Sequence, residues 1–272
     1  MNNMNGSSDI ANRMPVLFLG HGSPMNAIEE NEFVAGFRKA GIGIPEPTAV
    51  LCISAHWETR GTFITAMKSP KTIHDFGGFP KELYAVQYRA PGKPGLAREI
   101  KSMIKTTEAG LDESWGLDHG CWSVVKHLFP DAHVPVLQLS LDHYKAPQFH
   151  YDLAKELSHL RKKGVLIVGS GNMVHNLDLV AWDRLDEKNF GFEWAVEANE
   201  KMKRYILNGD HGSLINYRSQ GKEFKLAIPT AEHFLPLLYA LALKEDDEKV
   251  SLFNDKLTGG SLSMTSVKIE KT

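Results

Sequence analysis

A chain of 272 residues with 31 Lys and Arg against 33 Asp and Glu has a formal charge of −2. It is long enough to bury a substantial core, and its even charge disfavours nucleic acid and acidic membrane surfaces as partners. The longest strongly apolar stretch, Phe234 to Leu243, is far too short for a membrane span and contains Pro236. Two cysteines, Cys52 and Cys121, make no disulfide framework and fit a reducing cytoplasm.

The first fourteen residues, MNNMNGSSDIANRM, are polar and lack the apolar centre of a signal peptide, which predicts a disordered tail over 1–14 followed by one domain over 15–272. Apolar runs predict strands at 15–20, 48–54, 62–67, 134–140, 164–169 and 261–269, several of them continuous, as in strands covered on both faces. Helical patterns lie between them. They cover 31–40 before Gly41, 94–106 opened by Pro94, 121–129 stopped by Pro130, 147–163 before Gly164, 191–208 before Gly209, and 230–243. The stretches 182–190 and 244–250 are polar enough for surface loops. No repeat or Gly/Ser linker interrupts the pattern, so a single α/β domain is expected.

Two apolar strands run directly into histidines. VLFLG is followed by His21 between Gly20 and Gly22, and AVLCIS by Ala55 and His56. A third, GVLIV, leads through Gly169-Ser170-Gly171, read as a flexible segment, to His175. Loops from the carboxyl ends of neighbouring strands converge in open α/β sheets, and ligands bind there. In PTAEHFLPLLY, Thr230 is placed to cap a helix with Glu232 and His233 in its first turn, where the dipole favours the neutral imidazole that binds metal. Of the 12 histidines, His127, His133, His143, His150, His159 and His211 share no such placement and are assigned to surface or core. Two glycine-rich loops, TIHDFGGFP and WGLDHGCW, pair His74 with Asp75 and Asp118 with His119. Each reads as turn chemistry or, with Phe76, Phe79, Trp115 and Trp122 nearby, as a pocket wall. GxGxxG, GxSxG, HExxH and CxxC are all absent, which removes support for a dinucleotide site, a hydrolase elbow and two common zinc motifs.

Taken in order, GHGSPMNA, SAHW, TIHDFGGFP, GLDHG, SGNMVHN and PTAEHFLPLLY span nearly the whole chain. The set resembles the class III extradiol ring-cleavage dioxygenases, in their 4,5-DOPA branch. The resemblance implies an α/β domain with a central mixed, mostly parallel sheet flanked by helices, and a mononuclear metal at one sheet edge. It places the metal-site histidines on His21, His56, His175 and His233, with Glu232 as the alternative to His233. It also implies a catechol substrate, L-DOPA or a relative, cleaved with O2. Fe(II) with open positions serves such chemistry, whereas a nitrogen-rich site holds Zn(II) more tightly, so zinc is the ion expected in purified protein. A base must take a catechol proton and an acid must later return one. His175 is the first candidate, unless it closes on the metal as a fourth ligand, and His119 and His74 follow. His74, Asp75, Asp118 and Trp115 are the candidate substrate-binding residues. Competing readings are a zinc-dependent hydrolase with His175 or Glu232 as base, a catalytically silent metal-binding scaffold, and a tetrapyrrole metal chelatase. GHGS occurs once, against the last, and the complete histidine set argues against the second.

Overall fold

Alternate residues of the central strands face opposite ways, and both sets are apolar, so the sheet needs a cover on each side. A computed structural model, which describes residues 13–272, has that arrangement. The main sheet contains β1 (Val16–Gly20), β2 (Ala49–Ser54), β3 (Val136–Gln138), β4 (Val165–Gly171), β5 (Glu248–Phe253) and β6 (Ser266–Lys271), in the order β3-β2-β4-β1-β6-β5. The first four are mutually parallel and the last two pair antiparallel, giving the mixed, mostly parallel sheet expected. Val16, Phe18, Leu51, Ile53, Val165 and Ile167 share one core, and Leu17, Leu19, Val50, Cys52, Leu166 and Val168 share another.

Helices α1 (Glu32–Gly41), α2 (Pro94–Met103), α3 (His119–Leu128), α4 (Pro147–Glu156), α5 (Glu193–Asn208) and α6 (Leu235–Ala242) supply most of the cover. Residues of α1 and α3 complete the second core, and residues of α4, α5 and α6 complete the first. Among the described residues no helix is long and apolar enough to cross a membrane.

Several boundaries differ from the sequence reading. Helix α3 begins at His119 because the buried Asp118 carboxylate caps it through Cys121 N at 3.0 Å. The pattern over 147–163 divides at Leu157 into α4 and a short helix, Ser158–Lys162. The run 261–269 also divides. Leu262–Ser263 pairs with Leu257–Thr258, and only Ser266–Lys271 enters the main sheet. The polar stretch 244–250 runs into strand β5, whose charged Glu248 is buried against Arg161. The strand at Thr62–Thr65 pairs with Ala109–Asp112 outside the main sheet. Of the predicted tail, 1–12 lie outside the described residues. Met14 is buried, and Arg13 pairs with Asp247 and Glu248.

Candidate metal centre

Three strands and one helix entry bring the key imidazoles to the carboxyl edge of the parallel ladder. His21 continues β1, its N–H bonding Gly171 O at 3.1 Å. Gly22 turns the chain away at φ +59°, with Met264 packed where a side chain would project. His56 follows β2 by two residues and donates its N–H to Ser54 Oγ at 3.2 Å. His233 arrives from the other direction. A Cβ on Gly171 would lie 2.1 Å from His233 O, so only glycine lets that backbone settle on the strand end, where Asn172 N bonds the same oxygen at 2.8 Å. Gly169-Ser170-Gly171 is accordingly not a flexible segment but the buried end of β4. The His233 carbonyl is committed to that bond, and α6 starts at Leu235 rather than at Thr230, leaving Glu232 and His233 in the preceding turn. The Thr230 hydroxyl donates to Glu232 Oε1 at 2.9 Å instead of capping the helix.

Proton positions at these rings follow from their partners. Ser170 Oγ donates to Gly120 O, so it accepts from His21 Nδ1, 3.0 Å away. That bond leaves the His21 Nε2 lone pair free. His233 Nδ1 likewise donates to Glu232 Oε1 at 3.0 Å, and His56 Nδ1 turns toward Asp75 Oδ2 at 3.5 Å. The Nε2 atoms of His21 and His56 then face each other at 3.2 Å. Two nitrogens bound ~2.0–2.1 Å from one ion stand roughly 3 Å apart, so the spacing fits a shared cation. Imidazoles held through their second nitrogen by carboxylate or hydroxyl groups are the usual supports of such a site.

His21, His56 and His233 bring one donor atom each within 4.8 Å of one another. Burial, then repulsion from neighbouring histidines, holds His21 and His233 well below the ordinary imidazole pKa, and burial with the nearby His119 pushes His56 down to about 3. The rings are therefore neutral, as a cation requires.

The remaining candidates surround this group. His175 forms a separate group with Glu232 and His233, its ring lying flat on His233 with centroids 3.4 Å apart and planes 6° from parallel. Burial lowers its pKa to about 4. His119 packs on His56 at 3.8 Å between centroids, and its Nδ1 lies 3.0 Å from Asp75 Oδ2 in a contact that is not an aligned hydrogen bond. Asp75 also accepts the His119 backbone N–H at 2.8 Å. Burial works against its ionisation, but the His119 contacts prevail and keep its carboxyl below the usual range.

His74 stands one layer back, Nε2 on Val86 O at 3.0 Å among Phe76, Tyr84 and Trp122. Asp118 has no exposed surface. It accepts from Ser54 Oγ, Cys121 N and Trp115 Nε1, bonds that fix the loop, and burial raises its pKa. Trp115 stacks on Trp57, planes 6° apart. Ser170 and Gly171 are the contributors that sequence reasoning passed over as a glycine-rich stretch.

Residues 15–267 match the family described as the catalytic LigB subunit of aromatic ring-opening dioxygenase. The chain belongs to that family. A 4,5-DOPA dioxygenase extradiol of Escherichia coli K12 is 43% identical over 261 residues, covering 94% of this chain and 95% of that protein. One from Beta vulgaris is 34% identical over 276 residues, covering 98% and 100%. The crystal structure of an uncharacterised protein from Escherichia coli K12 superposes with a TM-score of 0.81 at 38% identity, covering 94% of this chain and 99% of that one. The LigB-family chain is thus an extradiol dioxygenase, an enzyme class that takes a small aromatic substrate and O2 and uses a non-haem metal. The hydrolase and silent-scaffold readings are not favoured.

Proposed function

We propose that the enzyme opens an L-DOPA-like catechol on its extradiol side, at one Fe(II) held by His21, His56 and His233, giving a muconate semialdehyde-type product. The observation that carries the reading is the outward pinning of the three imidazoles by Ser170, Asp75 and Glu232, which turns neutral nitrogen donors inward. Relatives named 4,5-DOPA dioxygenase extradiol supply the substrate class. Fe(II) provides a path for single electrons between catechol and O2 that redox-inert zinc does not, although Zn(II) is the ion expected in protein purified in air.

The protein's own groups supply orientation and proton traffic. His175, stacked on His233 and outside the three-histidine group, is placed to take a proton from a catechol hydroxyl and later return it. Asp75 orients His119, which makes His119 a second proton carrier on the opposite side of His56. Phe76, packed edge-on to His119, and the Trp57–Trp115 stack supply apolar surface beside these groups.

The test combines metal analysis with turnover on the same preparations. Replacing His21, His56 or His233 by Ala is expected to strip the metal, and unchanged stoichiometry in all three variants would overturn the assignment. His175→Ala is expected to retain metal yet lose roughly 100- to 10,000-fold in turnover. Loss of metal together with activity would make His175 a ligand instead, and near-normal cleavage would remove it from the chemistry.

A further inference from the structure

Beside the metal centre a groove of about 980 Å³ extends outward from Glu232, the residue that holds His233. Its size is at the upper end of the range for small-molecule sites, about 300–1,000 Å³. It is lined by the 229–232 turn, by Glu58, His143 and Lys145, and by Tyr217 and Arg218. None of the three histidines lines the groove; it adjoins the centre at Glu232, so a substituent on a ring bound there would enter it past that residue. A bare catechol would leave it empty.

The groove holds charge of both signs. Arg218 Nε donates to Tyr217 Oη at 3.2 Å, and the Tyr217 ring is buried, only 2% exposed, so the guanidinium is anchored while its two terminal amino groups stay available. Among the described residues neither Arg218 nor Lys145 has a carboxylate partner within the groove, so both charges face it uncompensated. An arginine fork presents parallel N–H groups that match a carboxylate, and fixing its stem reduces the entropy lost on binding. Glu58, also unpaired among those residues, lines the same groove as Glu232. It suits an ammonium group, whereas Glu232 is committed to His233.

From this placement we infer that the groove seats the side chain of the catechol, with Arg218 binding its carboxylate. The preferred substrates are then catechols bearing an alkanoic or amino-acid side chain. The inference rests on the catechol reading above and adds a specificity-determining residue to it. Of the other arginines, Arg60 does not line the groove but donates to the lining residue Tyr144 at 3.0 Å, which commits its guanidinium.

Two measurements test the inference on wild type, Arg218→Ala and Arg218→Lys. The first is kcat and KM for 3,4-dihydroxyphenylpropionate and for 4-methylcatechol with Fe(II)-loaded enzyme. The second is anaerobic calorimetric binding of the same two compounds. Arg218 is exposed, so its removal spares the fold, which circular dichroism checks. Arg218→Ala is expected to lower the acid-to-neutral ratio of kcat/KM roughly 10- to 100-fold, mainly through KM for the acid, with partial recovery in Arg218→Lys. Equal effects on both compounds, or none, would overturn the inference. If wild type binds the acid in preference to the neutral catechol and loses that preference in Arg218→Ala, yet cleaves neither, the groove assignment stands and the ring-cleavage reading fails.

Discussion

Gly171→Ala isolates how the fold places one proposed metal ligand, His233. The new methyl would lie 2.1 Å from His233 O and 3.0 Å from its carbonyl carbon, both backbone atoms with no rotamer to yield. Restoring an ordinary carbon–oxygen contact of 3.4 Å needs a displacement of roughly 1.3 Å, several times the ~0.2 Å tolerance of a metal–ligand bond. Disturbing the supports of a ligand usually costs 10- to 100-fold in metal affinity, so at least the upper end of that range is expected here. Overpacking adds about 1–3 kcal/mol of lost stability. Gly169→Ala is the control. It forces a similar clash, 2.4 Å against Pro236 O on the same face of β4, but two residues from the site. Zn(II) or Fe(II) dissociation constants from chelator competition, with urea denaturation alongside, separate the effects. Similar destabilisation in both variants with affinity lost chiefly in Gly171→Ala is the expected result. Wild-type affinity in a folded Gly171→Ala protein would refute the argument that the strand end sets His233.

Ser170→Ala removes the acceptor that fixes the His21 tautomer, and metal affinity is expected to fall roughly 10- to 100-fold with little change in unfolding midpoint; an unchanged dissociation constant would deny the serine that role. Glu248→Gln leaves Arg161, fully buried and bonded to Met14 O and Leu243 O, without its counter-ion, and should cost about 3–5 kcal/mol by denaturant unfolding. Although burial opposes ionisation, the Arg161 contacts hold Glu248 below its ordinary 4.5, so its stabilisation is complete above that pH and fades as pH falls through the lowered folded value. Acid unfolding of Glu248→Gln should therefore lack that component of the wild-type pH dependence.

How far the sequence revealed the site depended on whether the signal was local. Continuous apolar strands running into His21 and His56 could be read directly, because the sheet-edge rule places such residues together without coordinates. His233 could be assigned only through its motif, since its position depends on β4 meeting the turn before α6 at Gly171. Ser170 escaped notice for a similar reason: it pairs with Leu19 on one side and Ser54 on the other, a consequence of parallel register invisible in one strand. Strand β5 was hidden by Glu248 and Lys249, whose charges read as loop although Glu248 is buried by Arg161. The family motifs gave the enzyme class, but that Asp118 is fully buried, with its carboxylate bonded to Ser54, Cys121 and Trp115, depended on the packing.

Oxygen uptake by protein stripped of metal and reloaded anaerobically with Fe(II) tests the central claim most directly. With L-DOPA or caffeate, the Fe(II) form should consume one O2 per catechol as the ring-opened chromophore appears. The Zn(II) form of the same preparation should consume none. Full turnover by iron-free zinc protein, or no oxygen uptake by Fe(II) protein whose three histidines demonstrably hold the metal, would contradict the account.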